Sequence, residues 1–249
     1  MTMRKKISII TASFNSGSTI KDCLDSVEDQ GNQAEHIIID GASTDDTLSI
    51  VRSYPHIAEV ISEPDHGIYD AMNKGIALAT GDVIGILNSD DYYAHPQVLE
   101  RVMKVFENRE IDSCYGDLLY FDPVDKTRIV RNWISGSYHE RRFYWGWMPP
   151  HPTFFVRRSM YEKYGGFKLS LGSAADYELM LRFLVKHKIS TAYLPEILVR
   201  MRSGGISNMS LRNRLTANRM DRYAWEANEL KPYFWTTFVK PLSKIMQFF

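Results

Sequence analysis

Four carboxylates and one imidazole stand where chemistry could be done. Asp90 and Asp91 are adjacent and follow the apolar run Asp82–Leu87 through Asn88-Ser89. Two neighbouring carboxylates repel unless a positive charge lies between or beside them. A hard divalent cation, Mg²⁺ or Mn²⁺, held by one or two carboxylates and by phosphate oxygens, meets that need. Asp40 ends a second apolar run, His36-Ile37-Ile38-Ile39, and could accept hydrogen bonds from a base or a ribose. Asp176 opens a helical pattern in Ser173-Ala174-Ala175-Asp176-Tyr177-Glu178. A helix N-terminus keeps such a carboxylate ionised, and an ionised carboxylate can take the proton of a hydroxyl. His151 precedes Pro152 at the entry to an apolar segment. Each also has a plainer reading. Asp90 and Asp91 would form an acidic turn before the Pro96 helix, Asp40 and Asp176 would cap helices, and His151 would be a packed imidazole.

The elements that must position these groups alternate. Ile7–Thr11, His36–Asp40, Glu59–Ser62, Asp82–Leu87 and Ser113–Phe121 read as strands. Between them, 19–30, 45–53, 68–79 and 96–108 read as helices, with Ile20, Leu24 and Val27 on one stripe of the first. Strand and helix alternating at this spacing predict an α/β fold with a mostly parallel sheet covered on both faces. Ligands of such sheets sit beyond the carboxyl ends of the strands, which is where Asp40 and Asn88–Asp91 fall. Neither GxGxxG nor GxxxxGK[ST] occurs, which disfavours dinucleotide dehydrogenases and P-loop NTPases.

The second half changes character. Residues 126–150 are irregular and aromatic, 151–156 reads as a strand, and 174–186 as a helix capped by Ser173. Two short strands are predicted at 192–194 and 197–201, then a basic loop through Gly204-Gly205, then one long helix over 208–229. The 249 residues hold 30 Lys+Arg against 30 Asp+Glu, which argues against a nucleic-acid binder. The balance hides an asymmetry: residues 1–125 carry 9 basic and 22 acidic groups, and 126–249 carry 21 and 8. A cation site facing an anionic ligand would use that split, and mutual neutralisation of the halves is the plainer account. Cys23 and Cys114 form no CxxC, so both read as buried thiols of a reducing compartment. The N-terminus lacks a signal-peptide core, and no run of roughly 18 apolar residues occurs. A cytoplasmic protein is expected.

The segments ISIITASFN, IIIDGASTDDT, EPDHGIYDAMNKGI, GDVIGILNSDD and SAADYELMLR, in that order over about 6–210, resemble the family 2 glycosyltransferases of the GT-A fold. The bacterial enzymes of exopolysaccharide and O-antigen synthesis, of colanic-acid type, are the nearest likeness. The resemblance implies a GT-A-like, Rossmann-like domain with an acceptor-side C-terminal helical region. The domain spans about 1–230, with donor binding in residues 1–125, the acceptor side in residues 126–230, and 231–249 as an amphipathic tail. The resemblance also implies that Thr11, Ala12 and Ser13 wall a nucleotide base, that Asp40 contacts it, and that Asp65, Asp70 and Asn73 line the pyrophosphate and sugar side. Many members have an aspartate pair where this chain has Asp40-Gly41. Asp90 would hold ribose or metal, Asp91 the metal, and Asp176 would be the general base. Arg200 and Arg202 are candidate pyrophosphate partners. His151, Trp145 and Trp147 fall on the acceptor side.

The activity so implied is inverting transfer of a sugar, from a UDP-sugar foremost, to a lipid-linked (polyprenyl-diphosphate) glycan, with Mn²⁺ or Mg²⁺ as cofactor. In the tail, Trp235, Phe238, Leu242, Ile245 and Phe249 recur as a helical stripe flanked by Lys231, Lys240 and Lys244, with Pro241 interrupting. That stripe would lie in the headgroup region at the cytoplasmic face of a membrane, or pack on the domain, or pair a homodimer. A non-catalytic nucleotide-binding scaffold subunit is the alternative from another class.

Overall fold

A computed structural model describes residues 6–204 and 211–236. Strands β1 (Ile7–Ser13), β2 (Ala34–Asp40), β3 (Ile57–Ser62) and β4 (Val83–Ile86) alternate with helices α1 (Ile20–Glu28), α2 (Thr47–Val51) and α3 (Ile68–Leu78). These four strands are parallel in the order β3-β2-β1-β4. The chain continues through β5 (Tyr92–Tyr93), α4 (Val98–Val105), β6 (Ser113–Phe121), β7 (Ile129–Trp133), α5 (Arg141–Tyr144), β8 (Phe155–Arg157) and α6 (Arg158–Tyr164). It ends with α7 (Ala175–Met180), β9 (Thr191–Arg202) and α8 (Leu211–Glu226). One sheet runs β3-β2-β1-β4-β8-β6-β9-β5, with β7 on β6.

The continuous apolar run of β1 follows from burial on both faces. Ile7 and Ile9 face α1 and α4 with Cys23, Val27 and Leu99, while Ile10 and Ala12 face α3 and α7 with Met72 and Leu179. Helix α3 sits so near the sheet that a Cβ on Gly75 would lie 2.3 Å from Ile10 Cγ2. That closeness brings the N-terminal turn of α3 beside the strand ends.

The second half differs from the expected pattern. The sheet is parallel over its first four strands, but β8 joins β4 and β6 antiparallel. His151 stands in a tight 3₁₀ turn (His151–Thr153), and the strand begins only at Phe155. The two short strands are one, β9, with register shifts opposite 115–118 of β6. A proline at 195 and the lost alternation there hid its continuity. The hairpin strand β7 and helices α5 and α6 had no periodicity long enough to read. Helix α7 passes into a π-helical stretch, Leu181–Lys186, and its N-cap is Ala174 rather than Ser173. Only Trp235 of the tail stripe is described; Phe238, Leu242, Ile245 and Phe249 lie outside the described residues.

Beneath the sheet edge, His36 is fully buried, with Nε2 3.0 Å from Thr11 Oγ1 and Nδ1 3.0 Å from His56 Nε2. Burial foremost, and His56 next, pushes its pKa down to about 3. A histidine whose folded pKa is depressed contributes full stability above its unfolded value of about 6.5, and loses it as pH falls toward the folded value. The loss proceeds at up to about 1.4 kcal/mol per pH unit. From pH 7.5 to 5 the chain should lose about 2 kcal/mol through this group, measured by urea unfolding. His36→Gln should flatten that slope, and an unchanged slope in the variant would refute the assignment.

Candidate active site

The loops after β1, β2 and β4 are stitched into one floor. Asp40, fully buried at the end of β2, accepts from Ser13 Oγ at 3.0 Å, Ser43 N at 2.8 Å, Ser62 Oγ at 2.8 Å and Ser43 Oγ. Both oxygens are doubly engaged, so no lone pair is left for a base. The expected base contact is therefore corrected: Asp40 clamps the ends of β1, β2 and β3. Asn15 Oδ1 accepts from Thr44 N at 2.9 Å, and Ser16 Oγ lies 2.8 Å from Ser89 Oγ, joining the first loop to the other two.

Thr11, Ala12 and Ser13 are all buried, and the two hydroxyls face His36 and Asp40. Their side chains do not wall a ligand; the exposed residues come next, with Phe14 63% exposed. A Cβ on Gly41 would lie 2.7 Å from Asp65 Oδ2 and 3.4 Å from the Phe14 ring. A second aspartate at 41 would collide with Asp65, whose carboxylate stands where that residue's side chain would begin. Asp65 Oδ1 accepts from Gly67 N at 2.8 Å. Asp70 accepts from His66 N and pairs with Lys74. Asn73 is withdrawn from the donor site: its amide donates to Phe167 O at 2.9 Å and accepts from Phe167 N at 2.8 Å. Phe14 was invisible in sequence because a lone exposed ring leaves no pattern.

Asp91 is fully buried in the loop after β4, directly before β5. Asn88 Nδ2 donates to its Oδ2 at 2.9 Å, while Asp91 Oδ1 and Asn88 Oδ1 are buried without a hydrogen-bond partner. Burial foremost, and then the Asp90 charge, raises the Asp91 pKa well above the carboxylate range. Burial raises Asp90 as well, and Arg202 opposes both shifts. Arg202 ends β9, ion-pairs with Asp22 of α1 and lies over the Phe121 ring at 5.3 Å. Its Nε is buried and unpartnered. Lys126 meets the same Asp22 at 2.7 Å. Arg200 lies two residues back on β9, opposite Tyr92. Among the described residues no three His, Cys, Asp or Glu gather as a metal cage. Two orphaned oxygens beside one further carboxylate still fit a hard cation that draws its other ligands from phosphate and water.

Asp176 lies in the first turn of α7, with Oδ1 accepting from Tyr177 N at 2.7 Å. Tyr69 of α3 sets its hydroxyl against this carboxylate; burial first and the Asp176 charge next push the phenol up. His151 also faces Asp176: burial holds its imidazole below the usual range against that charge, and Nε2 is buried without a partner. Burial raises the Tyr120 phenol of β6, Arg131 opposes, and the charges of Asp91 and Asp176 both add. Tyr120 thus stands within electrostatic reach of Asp91 and Asp176 together.

The helix carrying Asp176 is held from beneath. Glu178, fully buried, accepts from Arg182 Nε at 3.1 Å and Nη2 at 2.9 Å, and from Lys168 at 2.8 Å. The other Arg182 donors reach the carbonyls of Tyr164, Gly165 (3.0 Å) and Gly166 (2.6 Å). The next residue, Phe167, packs on Tyr69 and His151 at centroid distances of 5.2 and 6.4 Å. The acceptor-side expectation for Trp147 is corrected: its ring packs against Tyr115, Tyr138 and Phe143, and its Nε1 donates to Ser135 O. Trp145 is turned to solvent, with Trp235 as its ring partner.

The strand-end floor, the buried carboxylate beside a basic strand end and the acidic helix start sit on a mixed α/β fold that solved glycosyltransferases of the GT-A class share. A Pyrobaculum calidifontis mannosyltransferase, solved with GDP-Man and Mn²⁺, superposes with TM-score 0.66 at 17% identity, over 98% of this chain and 70% of that one. S. aureus TarS with UDP-GlcNAc superposes at TM-score 0.64 and 17% identity, over 86% of this chain and 65%, just under two thirds, of its own. The profile of Glycosyl transferase family 2 matches residues 8–165. An uncharacterised glycosyltransferase of Mycobacterium tuberculosis is 36% identical over 187 residues, 73% of this chain and 70% of the relative. The chain belongs to glycosyl transferase family 2.

Ionising Asp91, held out of water beside Asp90, is unfavourable in the metal-free fold, and that weakens the fold at neutral pH. Asp91→Asn should raise the metal-free melting temperature by a few degrees, on the order of 1 kcal/mol. Mn²⁺ should raise the native melting temperature and leave the variant unmoved. Equal Mn²⁺ responses in differential scanning fluorimetry would remove Asp91 from the cation site.

Proposed function

We propose that this family member is an inverting, metal-dependent enzyme. It transfers a hexose or N-acetylhexosamine from a nucleotide sugar, UDP-linked foremost, to a lipid-linked glycan of a bacterial surface polysaccharide. The observation that carries the reading is Asp176 at the α7 N-terminus, set against Tyr69 and His151 and sharing Tyr120 with the buried Asp91. Residues 1–230 act as one domain in this reading, the donor side first in sequence, working at the cytoplasmic face of the membrane. No helix among the described residues is long and apolar enough to cross one.

Asp65 and Phe14 flank Gly41 and take the role first given to Asp40: the carboxylate accepts a base N–H, and the ring offers a stacking face. Arg202 and Arg200 engage the diphosphate, which suits guanidinium geometry. A divalent cation bound at Asp91 and Asp90 would neutralise charge on the departing diphosphate. Asp176 takes the proton of an acceptor hydroxyl. The hydroxyl oxygen forms its bond to the anomeric carbon as the carbon–oxygen bond to the diphosphate breaks on the opposite face. The negative charge leaves on the nucleoside diphosphate, and the anomeric configuration inverts. One base suffices, and no enzyme nucleophile is needed. Burial keeps His151 neutral, so its free Nε2 can bond a sugar hydroxyl without competing for the proton.

Asp176→Asn should lower kcat by about 10²–10⁴-fold while UDP binding with Mn²⁺, read by calorimetry, stays within twofold. Asp65→Ala should weaken UDP binding by about tenfold with the fold intact. Turnover unchanged in Asp176→Asn would sink the base assignment. Absence of nucleotide binding, for UDP and GDP alike, would favour a scaffold.

A further inference from the structure

We propose that the aromatic face built from Trp145 and residues 233–235 is a docking surface for an anionic lipid bilayer. Trp145 was expected beside the acceptor sugar, and the fold instead places it at the surface. It is 56% exposed, with Tyr233 at 51% and Phe234 at 83%. These residues come from segments about ninety positions apart in the chain, yet their rings form one cluster. Trp145 meets Trp235 at 5.9 Å, Tyr233 and Phe234 meet Trp235 at 4.8 and 4.7 Å, and Tyr144 meets Tyr233 at 5.2 Å. Large apolar rings held outward together mark an interaction surface.

Charge selects the occupant. Lys231 is exposed just before the cluster, and Arg141 precedes Trp145 on an exposed turn of α5. Nearby carboxylates are already neutralised: Glu140 pairs with Lys188 at 3.4 Å and Glu229 with Lys186 at 3.2 Å. Trp and Tyr rings favour the headgroup level of a bilayer, and each nearby Lys or Arg adds attraction to anionic lipid. Phe234 has no polar edge for a sugar to bond, so a glycan platform suits this face less than hydrocarbon does.

The surface is also coupled to the acceptor side. Tyr144 packs on Trp225 at 4.7 Å, and Trp225 Nε1 donates to Tyr177 OH at 3.0 Å. Tyr177 follows Asp176 on α7. Docking this face sets the Asp176 helix close to the bilayer, where the sugar of a lipid-linked acceptor would arrive; this last step rests on the acceptor class proposed above.

The test is co-sedimentation of the full chain with vesicles of phosphatidylglycerol and phosphatidylethanolamine, and with phosphatidylcholine alone. The doubly substituted chain Trp145→Ser, Phe234→Ser loses only exposed rings and should stay folded by circular dichroism. Binding to anionic vesicles should exceed that to phosphatidylcholine, weaken with added salt, and fall about tenfold or more in the double variant. UDP binding in solution should be unchanged in that variant. If UDP fails to bind either chain, the donor-site reading fails and the lipid result stands by itself. Vesicle binding equal in both chains, or absent from the native chain, overturns the proposal. So does a dimer in the native chain that the double variant dissociates, because a second copy would then cover the face.

Discussion

The cost of ionising a carboxylate held out of water between β4 and β5 is the constraint around which this site is organised. Asp91 has no exposed surface, has a like charge at its side, and leaves one oxygen unpartnered. An ion so buried is unfavourable by several kcal/mol unless opposite charge compensates it. The chain supplies some of that compensation from far away in sequence. Arg202 closes β9, and the parallel pairing of β9 with β6 carries it back to the strand ends. Asp22 and Phe121 then hold the guanidinium in place. In the reading proposed above, a bound cation would supply the rest of the compensation.

The other carboxylates show how environment divides roles among identical groups. Asp40 and Asp65 lie at the ends of successive strand segments, and either could have met a base. Three serines saturate Asp40, so it acts as a staple. Asp65 is left to fill the space that Gly41 vacates. Glu178 and Asp176 stand two residues apart on one helix and diverge in the same way. Glu178 is closed by Arg182 and Lys168, whereas Asp176 keeps an oxygen that no backbone amide of its own helix occupies.

This division also explains what could be read in advance. The parallel half of the fold was legible because β1, β2 and β4 are buried on both faces, which writes unbroken apolar runs, and because their polar ends break those runs sharply. Asp90 and Asp91 stand out for the same reason, and Asp176 stands out as a carboxylate opening a helical pattern; their roles are those proposed above. The misplaced residues are those whose role depends on a distant partner. Asn73 is consumed by Phe167, 94 positions away, and Thr11 by His36. Trp147 belongs to a packed cluster and Trp145 to a surface, though only Gly146 separates them. No periodicity distinguishes such cases, because α5 is a single turn and turns too short to repeat carry no pattern.

The second half of the chain departs from the parallel plan for a related physical reason. Once β8 enters antiparallel between β4 and β6, the chain no longer returns through a helix covering the sheet. The residues before β8 are therefore free to fold as a 3₁₀ turn that lifts His151 toward Asp176. Arg182 then gathers three successive carbonyls of the 164–166 turn and sets Phe167 against both Tyr69 and His151. The π-helical stretch after α7 begins next to that guanidinium, at Leu181. A π-turn shifts the phase of the residues after it, so α7 can present Asp176 to one side while the stretch beyond it packs Phe183 and Leu184 into the core. The first half of the site is thus shaped by strands that end together. The second half is shaped by buried charge that binds an irregular turn to a helix.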